Sequence, residues 1–146
     1  MATLKLAQAT SLIDTALAEG RRRGLAPLAV AVLDPGGHLV AFQREDGAGF
    51  LRFDIAYGKA WGALGLGFGT RELAERGKKA PVFVTALAAV SQGRAIPSPG
   101  GVIILGPGGD VVGAVGISGD VGDQDEACAL AGIAAVGFAA RPGAAE

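Results

Sequence analysis

The chain has very few of the residues from which metal centres and disulfide frameworks are built. Its 146 residues include one cysteine and one histidine. A lone cysteine cannot form an internal disulfide, and one cysteine with one histidine cannot complete a structural zinc site. The composition therefore excludes both kinds of framework, and we expect a reducing compartment, the cytoplasm.

Charge of one sign and long apolar runs are also missing. The 13 basic and 14 acidic residues leave a formal net charge of −1, so the chain has no positive field with which to neutralise phosphates. Glycine or a charged residue interrupts every window of about 18 residues that could span a membrane, and the first twenty residues lack the apolar core of a signal peptide. We expect neither nucleic acid nor membrane as a partner.

Aliphatic residues and 25 glycines make up much of the remainder, whereas aromatic residues account for only 5%. A chain of this length has the size of one ordinary domain with a real core. We therefore expect a single domain over residues 1–146, with an aliphatic and closely packed interior.

Hydrophobic spacing predicts the first half of the fold. Apolar residues from Leu6 to Leu17 recur at three- and four-residue intervals, which indicates a helix that Thr3 caps and Gly24 ends. The runs PLAVAVLD and HLVAFQRE flank a Pro-Gly-Gly turn and predict a hairpin. A helix over 51–67 follows, and its glycines indicate close packing or close approach of a ligand.

The second half of the chain is predicted to contain two short helices, a second hairpin and a last helix. Thr70 is predicted to cap a short charged helix, and Pro81 suits the first turn of another. A second hairpin turns at 106–110. Asp123 and Glu126 are spaced as a capping box for a last helix that runs to Ala140. This order favours an α+β fold with an antiparallel sheet.

Four ordered segments resemble the GlcG/HbpS-like family, which includes the C-terminal domain of PduO-type proteins. They are AVAVLDPGGHLVAFQREDGA, DIAYGKAWGA, IPSPGGVII and VVGAVGISGDVGDQDEACA. The resemblance implies a profilin-like or roadblock-like α+β sandwich, with a five-stranded antiparallel sheet flanked by helices, and assembly into homo-oligomers. Members of the family are associated with heme binding, and others accompany catabolic enzymes.

One segment departs from the family pattern. Ser98 precedes Pro99-Gly100-Gly101, where many relatives carry an aromatic residue. A heme pocket would lose a stacking surface there, so a smaller or more polar ligand becomes easier to accommodate. The hydroxyl of Ser98, with the flexible backbone at Gly100 and Gly101, makes this loop a candidate binding site, although a plain turn explains the same residues.

Four further residues are candidate ligand contacts. Neutral imidazole can ligate iron or exchange protons, so His38 is a possible heme ligand, a structural hairpin residue or an oligomer contact. Arg44 can hold a carboxylate or a heme propionate, or it can pair with Asp46 at the surface. Lys59 can hold an anion, and Trp61 can be a ligand shelf, a core residue or an interface residue.

Two charged groups have simpler interpretations. Arg71 lies in the first turn of its helix, where the helix dipole disfavours a cation and so favours an acidic partner, but we expect this side chain to be exposed to solvent. The acidic residues Asp123, Asp125 and Glu126 are expected to cap the last helix rather than to bind a metal.

The sequence therefore favours a cytoplasmic, homo-oligomeric protein that binds heme or a small ligand and accompanies a catabolic pathway. Its pocket is expected between loop 97–101, Arg44 and the helix near Lys59 and Trp61, with His38 as the one histidine that could ligate iron. Heme is the one cofactor expected, and no catalytic residue is assigned. The alternatives are a cofactor-independent enzyme that moves a proton on a small oxoacid or hydroxyacid, held by Arg44 or Lys59, and a regulatory subunit without activity.

Overall fold

Five helices and five strands make up the computed structural model, which describes residues 3–144. The elements are α1 (Leu6–Arg22), β1 (Ala29–Leu33), β2 (Leu39–Arg44), α2 (Leu51–Leu66), α3 (Thr70–Lys79), α4 (Pro81–Val90), β3 (Gly101–Leu105), β4 (Val111–Ser118), α5 (Gly122–Ala135) and β5 (Ala139–Arg141). Within these residues, no helix has the length and apolarity needed to cross a membrane.

The strands form one open sheet in the order β2-β1-β4-β3-β5, and every neighbouring pair is antiparallel. The α+β fold with a five-stranded antiparallel sheet is therefore confirmed. Both predicted hairpins are present, and because β1 and β4 are antiparallel neighbours, their turns at 34–38 and 106–110 lie at the same end of the sheet.

The two faces of the sheet are covered differently. On one face, α1 and α5 pack against large aliphatic side chains such as Val30, Ile104 and Ile117. On the other face, α2 packs against small residues, among them Ala31 and Ala114. The small residues let the backbone of α2 come close to the strands, so this helix is held firmly in place.

Two glycines of α2 differ in their surroundings. A Cβ atom at Gly62 would lie 2.7 Å from the carbonyl oxygen of Arg94, whereas a Cβ atom at Gly65 would meet nothing within 4 Å. The chain before β3 therefore crosses α2 at Gly62, and close backbone packing accounts for that glycine.

Three helix boundaries predicted from the sequence are wrong. The first helix begins after Lys5, whose amide is capped by the Gln8 side chain, and Thr3 lies outside it. Thr70 is the first residue of α3, and its hydroxyl accepts a hydrogen bond from the amide of Gly101 instead of capping. The last helix stops at Ala135, because Gly137 turns the chain with a positive φ into β5.

Alanine substitution at the two glycines of α2 should have opposite effects. Gly62→Ala should lower the free energy of unfolding by about 1–3 kcal/mol, because the new methyl group collides with backbone. Gly65→Ala should raise it by up to about 1 kcal/mol, because alanine restricts the unfolded chain without meeting an obstacle. Urea unfolding of both variants tests this, and equal effects at the two positions would contradict the packing described.

Candidate functional site

Lys59 of α2 is a buried cation that is fully partnered. Its side chain is 3% exposed. The Nζ atom donates to the carbonyl oxygens of Ile117 at 2.8 Å and Pro99 at 3.0 Å, and to Oδ2 of Asp125 at 3.1 Å. Three acceptors match the three protons of an ammonium group, so Lys59 has no donor left for a ligand.

Burial acts on both members of this ion pair. Loss of water lowers the pKa of the Lys59 ammonium and raises the pKa of the Asp125 carboxyl, while their mutual attraction opposes both changes. The second oxygen of Asp125 accepts a hydrogen bond from the amide of Asp120 at 3.0 Å. The pair is thus a hydrogen-bonded structural element between α2 and α5.

The candidate loop before β3 packs against this pair. Gly100 has a φ of +127°, and a Cβ atom there would lie 2.8 Å from Nζ of Lys59. A Cβ atom at Gly101 would lie 2.3 Å from the carbonyl oxygen of Lys59. The structure thus brings Lys59, Gly100 and Gly101 together in the interior, with Ser98 beside Gly122 of α5. Close packing accounts for the glycines of this loop.

The acidic start of α5 pairs with α3 and does not cap its own helix. The N-cap residue is Val121, and no side chain caps it. Arg71 donates to both carboxylate oxygens of Glu126 at 3.0 Å and also to Asp123. The predicted capping box is therefore wrong. Arg71, which was expected to be exposed to solvent, is only 25% exposed and pairs with two carboxylates. Residues 3–144 contain no cluster of three acidic, histidine or cysteine side chains that could hold a metal ion.

His38 lies at the exposed tip of the first hairpin. Its side chain is 80% exposed, and Nδ1 lies 3.1 Å from Oδ1 of Asp34. The same carboxylate oxygen accepts hydrogen bonds from the amides of Gly36 and His38 at 2.9 and 3.0 Å. Loss of water around the carboxylate raises the pKa of Asp34, but these hydrogen bonds together outweigh that effect and hold the pKa below its ordinary value. Asp34 thus shapes the turn and also orients the imidazole.

Trp61 lies beside this hairpin, one helical turn after Tyr57. The hydroxyl of Tyr57 donates to the carbonyl oxygen of Gly37 at 3.1 Å, and a Cβ atom at Gly37 would lie 3.1 Å from the Trp61 ring. The guanidinium carbon of Arg94 lies 4.2 Å from the centroid of the Trp61 ring. A cavity of about 150 Å³ opens between the turn and α2, lined by Pro35, Gly36, Gly37, Trp61, Leu64 and Gly65.

Two residues of this hairpin face, Tyr57 and Arg94, had no role predicted from the sequence. Tyr57 could have been found, because it precedes Trp61 by four residues and so lies on the same side of α2. Arg94 carries no local signal, because it reaches Trp61 from a loop more than thirty residues away.

Arg44 lies at the far end of the edge strand β2, six residues from His38. Its side chain has no ion pair or hydrogen bond within residues 3–144, and the expected pairing with Asp46 does not occur there. It lines an open surface groove of about 430 Å³ together with Leu17, Arg21, Pro27, Gln43, Glu45 and Asp46. The predicted site residues therefore lie in three places: the interior, the hairpin face and this groove.

A comparison of the sequence with known protein families gives a match over most of the chain. Residues 4–134 match the family described as haem-degrading protein HbpS-like. The chain belongs to the HbpS-like family. The GlcG/HbpS-like resemblance predicted from four segments is thereby confirmed, and the match covers all the candidate site residues.

Individual relatives of this HbpS-like chain share most of its length. A 15.0 kDa Citrobacter freundii protein from the region between dhaT and dhaS is 31% identical over 125 residues, which are 86% of each chain. The crystal structure of a complex of PduOC with heme is 25% identical, with a TM-score of 0.85 over 94% of this chain and 98% of the other. A double mutant of Streptomyces reticuli HbpS is 31% identical, with a TM-score of 0.78 over 94% and 89%.

The buried ion pair of the HbpS-like chain predicts a specific pattern of stabilities. Lys59→Met should lower the free energy of unfolding at pH 7 by about 3–5 kcal/mol, because it leaves the Asp125 carboxylate buried without a partner. Adding Asp125→Asn should recover much of the loss, since no unpaired charge then remains. Denaturant unfolding of the singles and the double measures the coupling, and Lys78→Met, which breaks an exposed pair with Glu75, should change little.

The loss in Lys59→Met should also depend on pH. Burial raises the folded-state pKa of Asp125 above its unfolded value, so protonation favours the folded state. The destabilisation should therefore grow as pH rises from the unfolded-state pKa through the folded-state pKa, and shrink in acid. A loss that is equal at acid and neutral pH would contradict a buried carboxylate as its cause.

Proposed function

We propose that this protein binds heme on the face formed by the first hairpin and α2, with His38 as the iron ligand. The observation that carries the proposal is the bond between the His38 imidazole and Asp34. A proton on Nδ1 that is donated to a carboxylate leaves Nε2 free as a ligand atom, and metal-binding histidines are oriented in this way.

The surroundings of His38 fit a flat and largely apolar ligand. The imidazole lies against Gly36, where a Cβ atom would come within 3.0 Å of Nδ1. Gly36 in turn lines the cavity beside Trp61 and Leu64. The guanidinium of Arg94 lies over the face of the indole ring and adds a positive charge that could pair with a propionate. The same face therefore offers an iron ligand, apolar contact area and a cation.

The size of the cavity sets how much of the ligand is covered. Its volume of about 150 Å³ is below the roughly 300–1,000 Å³ of enclosed ligand pockets. A heme would therefore lie across the hairpin face with one side open. Bound heme would supply a redox-active iron, and the protein would supply the ligand atom, its orientation by Asp34 and the apolar surface.

Two comparisons support heme as the ligand. The family is described as haem-degrading, and the similar PduOC structure is a heme complex. A role beside a catabolic pathway and assembly into a homo-oligomer stay predictions.

The second candidate function, action on a small oxoacid or hydroxyacid, now depends on Arg44. Lys59 has no free donor, whereas the guanidinium of Arg44 lies unpaired in its groove and could hold a carboxylate. Such a protein should ignore hemin and bind a small acid such as pyruvate or lactate.

Hemin titration distinguishes these functions. Adding hemin to the protein should shift the Soret band and quench the fluorescence of Trp61, the one tryptophan of the chain. His38→Ala should abolish the ligand-field change, and Asp34→Asn should weaken binding by about 10–100-fold, because it removes the carboxylate that orients the ligand. Asp110→Asn in the matching turn of the second hairpin is the control and should bind as the unmodified protein does.

Two results would overturn the heme proposal. If hemin causes no Soret shift while pyruvate or lactate binds and Arg44→Met abolishes that binding, the small-acid function is correct. If hemin binds with an identical spectrum in His38→Ala, the iron ligand is a different residue.

A further inference from the structure

We propose that a cavity between α2, the end of α4 and the chain after it binds a small aromatic carboxylate, whose charge is held by Arg94. The cavity has a volume of about 190 Å³. It shares only Trp61 and Gly65 with the smaller cavity of the hairpin face. The proposal therefore concerns a second site and does not rest on heme binding.

The lining of this cavity is apolar. Aliphatic side chains from both helices and from the following loop line it: Leu66, Leu87, Val90 and Ala95. The hydroxyl of Ser91, which also lines it, donates to the carbonyl oxygen of Ala88 at 3.4 Å and is thus engaged within its own turn. An apolar protein cavity of about 150 Å³ is large enough to bind benzene. This cavity therefore has room for one aromatic ring.

Arg94 lies beside the cavity with part of its guanidinium free. The guanidinium carbon lies 4.2 Å from the centroid of the Trp61 ring, and Nε donates to the carbonyl oxygen of Ser91 at 3.2 Å. Because Trp61 and Ser91 both line the cavity, the charge lies at its rim. Nη2 donates to Oε1 of Gln92 at 3.0 Å. An arginine has five N–H groups, so three remain for a carboxylate, including both on Nη1.

Arg76 shows, by contrast, what is missing at Arg94. Its guanidinium carbon lies 4.3 Å from the centroid of the Phe68 ring, and its side chain lines a neighbouring cavity of about 240 Å³. Arg76 is paired with the carboxylate of Glu72. Arg94 has the same arrangement over an aromatic ring, but within residues 3–144 it has no acidic partner. A bound carboxylate would supply that partner.

The backbone at Gln92 is strained in a way that fixes Arg94. Gln92 has a φ of 57° and is the one non-glycine residue with a positive φ in the described part of the chain. Glycine usually occupies this conformation at the end of a helix, because a Cβ atom makes it costly. Strained residues persist mainly where a function requires them. Here the strained residue supplies the side-chain oxygen that holds Nη2 of Arg94.

Isothermal titration calorimetry without hemin tests the proposal with benzoate as the probe. Benzoate should bind at least about tenfold more tightly than benzyl alcohol, which has the same ring but no charge for Arg94. Acetate, which has the charge but no ring, should give no measurable binding. Arg94→Gln should remove the preference for benzoate over benzyl alcohol. Arg76→Gln, the matched control over Phe68, should keep it.

Nuclear magnetic resonance locates the bound probe. Benzoate should shift the amide signals of Gly62, Ser91 and Ala95, while those of Gly36 and Gly37 stay in place. His38→Ala should bind benzoate as the unmodified protein does, so failure of the heme proposal leaves this test intact.

Four results would overturn the proposal. They are no binding at about 10 mM benzoate, equal affinity for benzoate and benzyl alcohol, an unchanged preference in Arg94→Gln, and signal shifts confined to the hairpin face. The comparison of the two ligands uses the unmodified protein, so it decides the matter even if Arg94→Gln does not fold.

Discussion

The ammonium group of Lys59 joins four parts of the chain that are far apart in sequence. From α2 it reaches the loop before β3, the end of β4 and the first turn of α5. A buried cation is tolerated only when its protons are bonded and its charge is paired, so these four elements must keep their relative positions. Within residues 3–144, no buried side-chain nitrogen or oxygen lacks a hydrogen-bond partner.

This constraint decides which surfaces remain for function. Loop 97–101 and Lys59 are used to hold α2 in place, and the glycines of the loop let the backbone approach the lysine. The same helix then presents Tyr57 and Trp61 firmly to the first hairpin. A ligand at the hairpin face would thus be held between a fixed helix and a turn that Asp34 braces with three hydrogen bonds.

Local patterns predicted the elements well but not the contacts between them. Periodicity gave α1, both hairpins and the start of α4 at Pro81, because each depends on neighbours in sequence. The acidic residues at the start of α5 were predicted to cap the helix, because the cations that pair with them, Lys59 and Arg71, lie more than fifty residues away in sequence. The strand β5 has only three residues, which is too few to show an alternating pattern. The contact of Arg94 with Trp61 could not be predicted, because Arg94 lies in a loop distant in sequence.

The position of the ligand is the central claim, and nuclear magnetic resonance with gallium protoporphyrin, a diamagnetic analogue of hemin, tests it most directly. If heme binds on the hairpin face, the amide signals of Gly36, Gly37 and Gly65 and the indole signal of Trp61 should shift, while the signals around Arg44 stay in place. Shifts confined to the groove of Arg44, or no shifts at all, would contradict it.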